Sequence, residues 1–168
     1  MLKVMEAVCK KLEAGEDVKI DDLNDMVKFI KEFADRSHHL KEEDLLFPAM
    51  EEVGIPHEGG PIGVMLSEHT IGREYVKGLS LGISNYDKGN SSAANQIIEN
   101  ARNYASLLSD RIYKEDNVLY PVAEMQIPKE KQDELLKQFE TVGSEEIGLD
   151  KQKELLDILN KLKESYLD

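Results

Sequence analysis

An all-α fold, arranged as an antiparallel four-helix bundle with a helical C-terminal extension, is what this sequence predicts. Apolar residues recur at helical spacing almost throughout, and glycine- and proline-containing breakers divide them into four long amphipathic stretches. There is no β-period and no convincing internal repeat. Four such helices hide their apolar stripes most simply against one another. The expected division is a bundle over residues 1–126 and an extension over 127–168 packed on it.

The elements follow in order. Leu2, Met5, Val8, Cys9 and Leu12 mark a first helix that Gly15 stops. Asp21 and Asp22 are candidate caps for a second, which carries Leu23, Met26, Val27, Ile30, Phe33 and Ala34, then His38 and His39, then Leu45 and Leu46, with a bend expected at Pro48. Gly54 to Pro61 reads as an irregular connector, and His57 within it as a surface residue. A third helix is expected from about Ile62 to Leu81, a turn over Asn85 to Ser92, and a fourth helix from Ala93 to about Met125. Pro128 opens a shorter helix to about Thr141, and a last one begins near Leu149, with Tyr166 and Leu167 placed to pack it back.

The 168 residues suit one domain with a real core. With 21 basic and 34 acidic residues the net charge is -13, which repels phosphate backbones and anionic lipid, so neither nucleic acid nor a membrane is the expected partner. No apolar run approaches spanning length, no signal-peptide core is seen, and the single cysteine, Cys9, reads as a small core residue; a reducing cytoplasm is the expected location.

The informative residues are polar ones on apolar stripes. With each residue advancing about 100 degrees, His38 and Glu42 fall on the inner side of helix two, and His39 and Glu43 on the outer side. A bend or overwinding there would bring His39 inward. His69 lies inside the stripe of Met65, Gly72, Val76 and Leu79, with Gly72 leaving room beside it. Arg111 and Glu115 lie inside the stripe of helix four, with Tyr104. Ionisable groups at core positions of three helices need partners, and imidazoles with carboxylates suit iron, manganese or zinc. The plainer alternative is metal-free: His38 with Glu42, and Arg111 with Glu115, as buried pairs that satisfy each other. Arg73, one turn past His69, reads as a hydrogen-bonding support for a carboxylate. Glu68 points away.

Phe33 to Met50, Gly59 to His69 with Gly72 to Tyr75, and Lys114 to Pro121 together resemble the hemerythrin-like (HHE cation-binding) family, and the likeness extends to Phe139 to Gly148. The resemblance implies a non-haem diiron or related cation centre in an antiparallel four-helix bundle. It carries the metal-ligand role to His38, Glu42, His69 and Glu115. Two departures stand out. The family's histidine four residues before Glu115 is Arg111 here, and its first-helix histidine would fall upstream of Met1. Arginine stays protonated and cannot ligate; it is expected to fill part of the metal volume and to neutralise a carboxylate, leaving one cation rather than a full pair. Three functions follow: non-haem cation binding, with iron as one or two ions, zinc or manganese as substitutes, and O₂, nitric oxide or iron-status sensing; a metal-free structural or protein-interaction bundle; and, least favoured, an oxidase- or peroxidase-like enzyme. An open end of the bundle would suit a second copy, giving a homodimer.

Overall fold

The structure, a computed structural model, describes residues 1–90, 92–142 and 148–167, with the side chain of residue 149 left aside. Ser91, inside the expected turn, and residues 143–147, inside the last stretch of family likeness, lie outside the described residues. Among the described residues all regular structure is helical. Helix α1 spans Leu2–Glu13. Helix α2 (Ile20–Phe29) runs on through two π-helical segments, Ile30–His39 and Glu42–Leu46, into α3 (Phe47–Glu52). Helix α4 spans Pro61–Asp87. Helix α5 (Ala93–Lys114) passes through a third π-helical segment, Glu115–Leu119, into α6 (Tyr120–Gln126). Helices α7 (Lys129–Val142) and α8 (Gly148–Tyr166) complete the chain, and no described helix is long and apolar enough to cross a membrane.

Element order agrees with the sequence reading, and two local details differ. Helix α4 runs six residues past the expected end at Leu81. Asp21 and Asp22 sit in the first turn of α2, behind Lys19 at the cap, and Asp22 is buried. Its carboxylate accepts from the Tyr166 hydroxyl at 2.9 Å and pairs with Lys161 at 2.9 Å, both on α8. Leu155, Ile158 and Leu162 of α8 are buried in the same cluster as Val8, Leu23 and Ile97. Cys9 belongs to that cluster too; its thiol is fully buried, and burial pushes its pKa up to about 11.

The π-helical segments shape everything that follows. Such a turn closes on i→i+5 bonds and holds more residues than the usual about 3.6, so each residue advances by less than in an α-helix. Phe47 N–H bonds to Glu42 C=O, and Tyr120 N–H to Glu115 C=O, each five residues back. Both wide turns begin at a carboxylate and are followed at once by proline, Pro48 and Pro121. A proline ring clashes with the carbonyl four residues behind it and leaves it without a donor. A widened turn relieves both.

The apolar core is split in two. One cluster holds α1, α2 and α8 with the later half of α4 and the earlier half of α5; the other holds α3, α6 and α7 with the start of α4. Between Ile30 and Leu46, between Met65 and Val76, and between Tyr104 and Leu119, the three long rods place His39 and Glu42, His69, and Arg111 and Glu115. A buried polar layer crosses the interior at one level.

Candidate metal centre

His69 is fully buried, and its ring stacks on that of His39 with centroids 3.7 Å apart. The burial of His39 corrects its expected exposed position: ten residues of π-helix shift the phase that a uniform 100-degree step assumes. Glu43, also expected outside, is only partly exposed and turns toward His69. His38 keeps its ring edge toward the interior but is 38% exposed at its side chain.

Hydrogen bonds fix what each imidazole can offer. Arg111 Nη1 lies 2.6 Å from His39 Nε2, and a guanidinium only donates, so Nε2 accepts. His39 Nδ1–H then donates to Asp35 at 3.0 Å. Burial, then the nearness of the His69 ring and the Arg111 guanidinium, hold His39 far below the ordinary imidazole range, so the ring is neutral and both nitrogens are used. His69 differs. Its Nδ1–H donates to Glu43 at 2.7 Å, and its Nε2 faces Glu42 Oε2 at 3.2 Å with no hydrogen bond to either atom. In the neutral ring those are two acceptors face to face, a contact that a proton or a cation between them makes favourable.

Glu42 is the hinge of the arrangement. Its Oε1 accepts from the Tyr120 hydroxyl at 2.9 Å and lies 3.6 Å from His38 Nε2, while Oε2 faces His69. Glu115 Oε2 lies 3.4 Å from His38 Nε2, and Oε1 lies 3.0 Å from Arg111 Nε, whose N–H is not aimed at it. The Glu115 contact raises the His38 imidazole above its ordinary range against the effect of burial, with Glu42 adding and Arg111 opposing. Burial alone would raise the Glu115 carboxyl; His38, Arg111 and His69 outweigh it and hold the group below the usual carboxylate range. Glu42 Oε2, His69 Nε2, Glu115 Oε1 and Arg111 Nε are all buried without a hydrogen-bond partner. So is Glu68 Oε2, whose sister oxygen pairs with Lys114.

Two groups of three side chains bring ligand atoms within 4.8 Å of one another: His38, Glu42 and Glu115, and His39, Glu43 and His69. In the second, His39 and Glu43 are already engaged by protein. His39 has no lone pair left, and Glu43 Oε1 accepts from both His69 and Arg73, the latter at 2.8 Å. Arg73 also donates to Asp35 at 2.7 Å, so one guanidinium orients the carboxylates that hold both stacked imidazoles. The unsatisfied acceptors belong to the first group together with His69 Nε2. As a donor set, two imidazole nitrogens and two carboxylates suit a hard-to-borderline cation, and the orphaned atoms are where such an ion would bond.

The remaining expected residues also have places. Tyr104 is buried, its pKa pushed up to about 12 by burial, and it lines an apolar cavity of about 400 Å³ that reaches His38, Arg111 and Glu115 from the side of α1. Gly72 lines a cavity of about 290 Å³ with His39, Arg73 and Tyr104, and a Cβ there would meet Tyr104 and Leu107 on α5 at ordinary contact distance. His57 is exposed beside Glu51 in the connector. Asp35 and Tyr120 escaped the sequence reading. Asp35 precedes His39 by four residues, the same helical spacing as His38 and Glu42, and Tyr120 precedes Pro121 as Phe47 precedes Pro48.

An all-helical protein with a buried carboxylate–histidine layer is thus a protein of the helical cation-binding class. The family model for the hemerythrin HHE cation binding domain matches residues 1–123, and the chain belongs to that family. No curated protein and no solved structure matches it.

Proposed function

We propose that this chain, folded as an antiparallel four-helix bundle, binds a single iron-type non-haem cation through His38, Glu42, His69 and Glu115, and uses it to bind or sense a small diatomic molecule. The observation that carries the reading is the pair of orphaned acceptors Glu42 Oε2 and His69 Nε2, 3.2 Å apart, beside the His38, Glu42 and Glu115 group whose ligand atoms lie within 4.8 Å of one another. Charge favours one ion over two. Glu42 and Glu115 bring two negative charges and Arg111 one positive, so one divalent ion leaves the layer at +1 and a second would take it to +3. Zinc and manganese fit the same donors. When bound, iron supplies a redox-active Lewis acid open to a diatomic ligand. The protein supplies two fixed imidazole nitrogens, two carboxylates and an apolar approach for a neutral molecule, the cavity beside Tyr104.

Arg111 favours a second reading, a structural or protein-interaction bundle without metal. It already provides positive charge beside Glu115 and a donor to His39. Anaerobic titration with Fe(II), followed by gel filtration and metal analysis, separates the two. About one iron retained per chain, with a melting temperature lowered by chelation, supports the cation reading. No retained metal and an unchanged melting temperature supports the second.

A further inference from the structure

Beside the polar layer, a cavity of about 440 Å³ opens between the first π-helical segment and α8, with Ser37, His38 and Gln152 among its lining residues. Phe29, Phe33, Leu155, Leu156 and Leu159 supply its apolar walls, and Lys41 is the one permanently charged residue that lines it. The Phe29 and Phe33 rings stack at 5.2 Å to form one side. Its lining is mostly apolar with few polar groups, and its volume lies in the range of small-molecule sites, about 300–1,000 Å³. Phe33 and Leu156 are 55% and 57% exposed, so the described residues leave this apolar surface uncovered.

Charge selects the occupant. The chain carries 34 acidic residues, yet none lines this cavity. Lys41 forms no ion pair or hydrogen bond with any described residue, whereas Lys11, Lys28, Lys114 and Lys161 each have a carboxylate partner. An ammonium without a counter-ion among the described residues, on the lining of an apolar cleft, is complementary to one anionic head on one apolar tail. The volume is too small for a two-chain lipid, and the net charge of -13 opposes an anionic membrane surface. We infer that the cleft between the first π-helical segment and α8 binds a medium-chain fatty carboxylate, its head at Lys41 and its tail along Phe29, Phe33 and Leu156. His38, a proposed ligand, also lines the cavity, so comparing protein as purified with chelator-treated protein separates a carboxylate held at Lys41 from one held at a cation.

Calorimetric titration of the full chain with decanoate, 1-decanol and decyltrimethylammonium, below their aggregation concentrations, tests it. Each titration is run on protein as purified and after dialysis against a chelator. Decanoate is expected to bind at least tenfold more tightly than the cationic amphiphile in both preparations. Lys41→Glu is expected to weaken decanoate at least tenfold while leaving decanol within threefold. Leu156→Asp, at an exposed wall position that leaves the fold intact, should weaken both decanoate and decanol. Equal affinity for all three amphiphiles overturns the inference, as does an unaffected Lys41→Glu variant. Binding that disappears with the chelator places the carboxylate on a cation and also overturns it, without touching the metal reading. A dimer in sedimentation that Leu156→Asp disperses, with no decanoate binding, assigns the cleft to a second copy instead.

Discussion

Replacing Arg111 by methionine removes a charge from the least accessible part of the molecule. Arg111 is 2% exposed, and its two partners, Glu115 and His39, are 4% and 3% exposed. Breaking a buried pair by removing one member costs about 3–5 kcal/mol, because the other charge stays buried and uncompensated. For a chain of this length that corresponds to a melting temperature lower by roughly 10 °C. The loss should depend on metal. In chelator, Arg111→Met leaves Glu42 and Glu115 with no positive charge in the layer except what His38 supplies. A divalent ion restores it, and an ion at a hundred times its dissociation constant adds about 2.7 kcal/mol. Thermal unfolding followed by circular dichroism, with chelator and with Zn(II), is the assay. The variant should melt well below the parent in chelator and gain clearly more from Zn(II) than the parent does. Arg111→His, which exchanges the fixed charge for a neutral ligand nitrogen, should bind Zn(II) at least tenfold more tightly than the parent. An Arg111→Met protein that melts within about 2 °C of the parent in chelator, or that gains no more from Zn(II), would refute the argument that the guanidinium stands in for a cation.

Arg73→Gln removes the shared donor of Asp35 and Glu43; cation affinity should fall about tenfold in Zn(II) titrations, while stability changes by less than about 1 kcal/mol because the side chain is 42% exposed. Gly72→Ala should be neutral or stabilising by up to about 1 kcal/mol, whereas Gly82→Ala, whose new carbon would sit 3.1 Å from Ile97 Cγ1 and 3.3 Å from its backbone nitrogen, should forfeit that gain in urea unfolding. Asp22 is buried, which alone would raise its pKa, but Lys161 and Tyr166 hold it below its ordinary value. Its contribution is therefore full above about pH 4 and fades as pH falls through the lowered folded-state value. Asp22→Asn should cost about 2 kcal/mol at pH 6, and the gap to the parent should close as both are melted at pH 3 and below.

Helical spacing, breakers and the place of most polar residues were legible because an α-helix repeats at a fixed angle. That rule failed where the angle changed. His39 ends the first π-helical segment and Glu43 follows it, and a uniform step puts them on the wrong face. The proline after each carboxylate-led turn, at Pro48 and Pro121, is the signal that marks two of the three wide turns in advance; the longest, Ile30–His39, has none. The buried role of Asp22 depends on Lys161 and Tyr166, more than 130 residues away along the chain. No local pattern encodes such a partner, so an acidic residue in a first turn reads as a cap. His38, Glu42, His69 and Glu115 were readable individually, from phase and from family likeness. That His39 is saturated by Arg111 and Asp35, and so leaves His69 as the ring with an unused nitrogen, needed coordinates.

That distinction gives the most direct test of the account. Anaerobic Fe(II) titration of His69→Ala and His39→Gln should separate two rings that stack face to face. The account predicts that His69→Ala loses at least a hundredfold in affinity while His39→Gln, which keeps an acceptor for Arg111, stays within tenfold of the parent. Loss of binding in His39→Gln with retention in His69→Ala would contradict it.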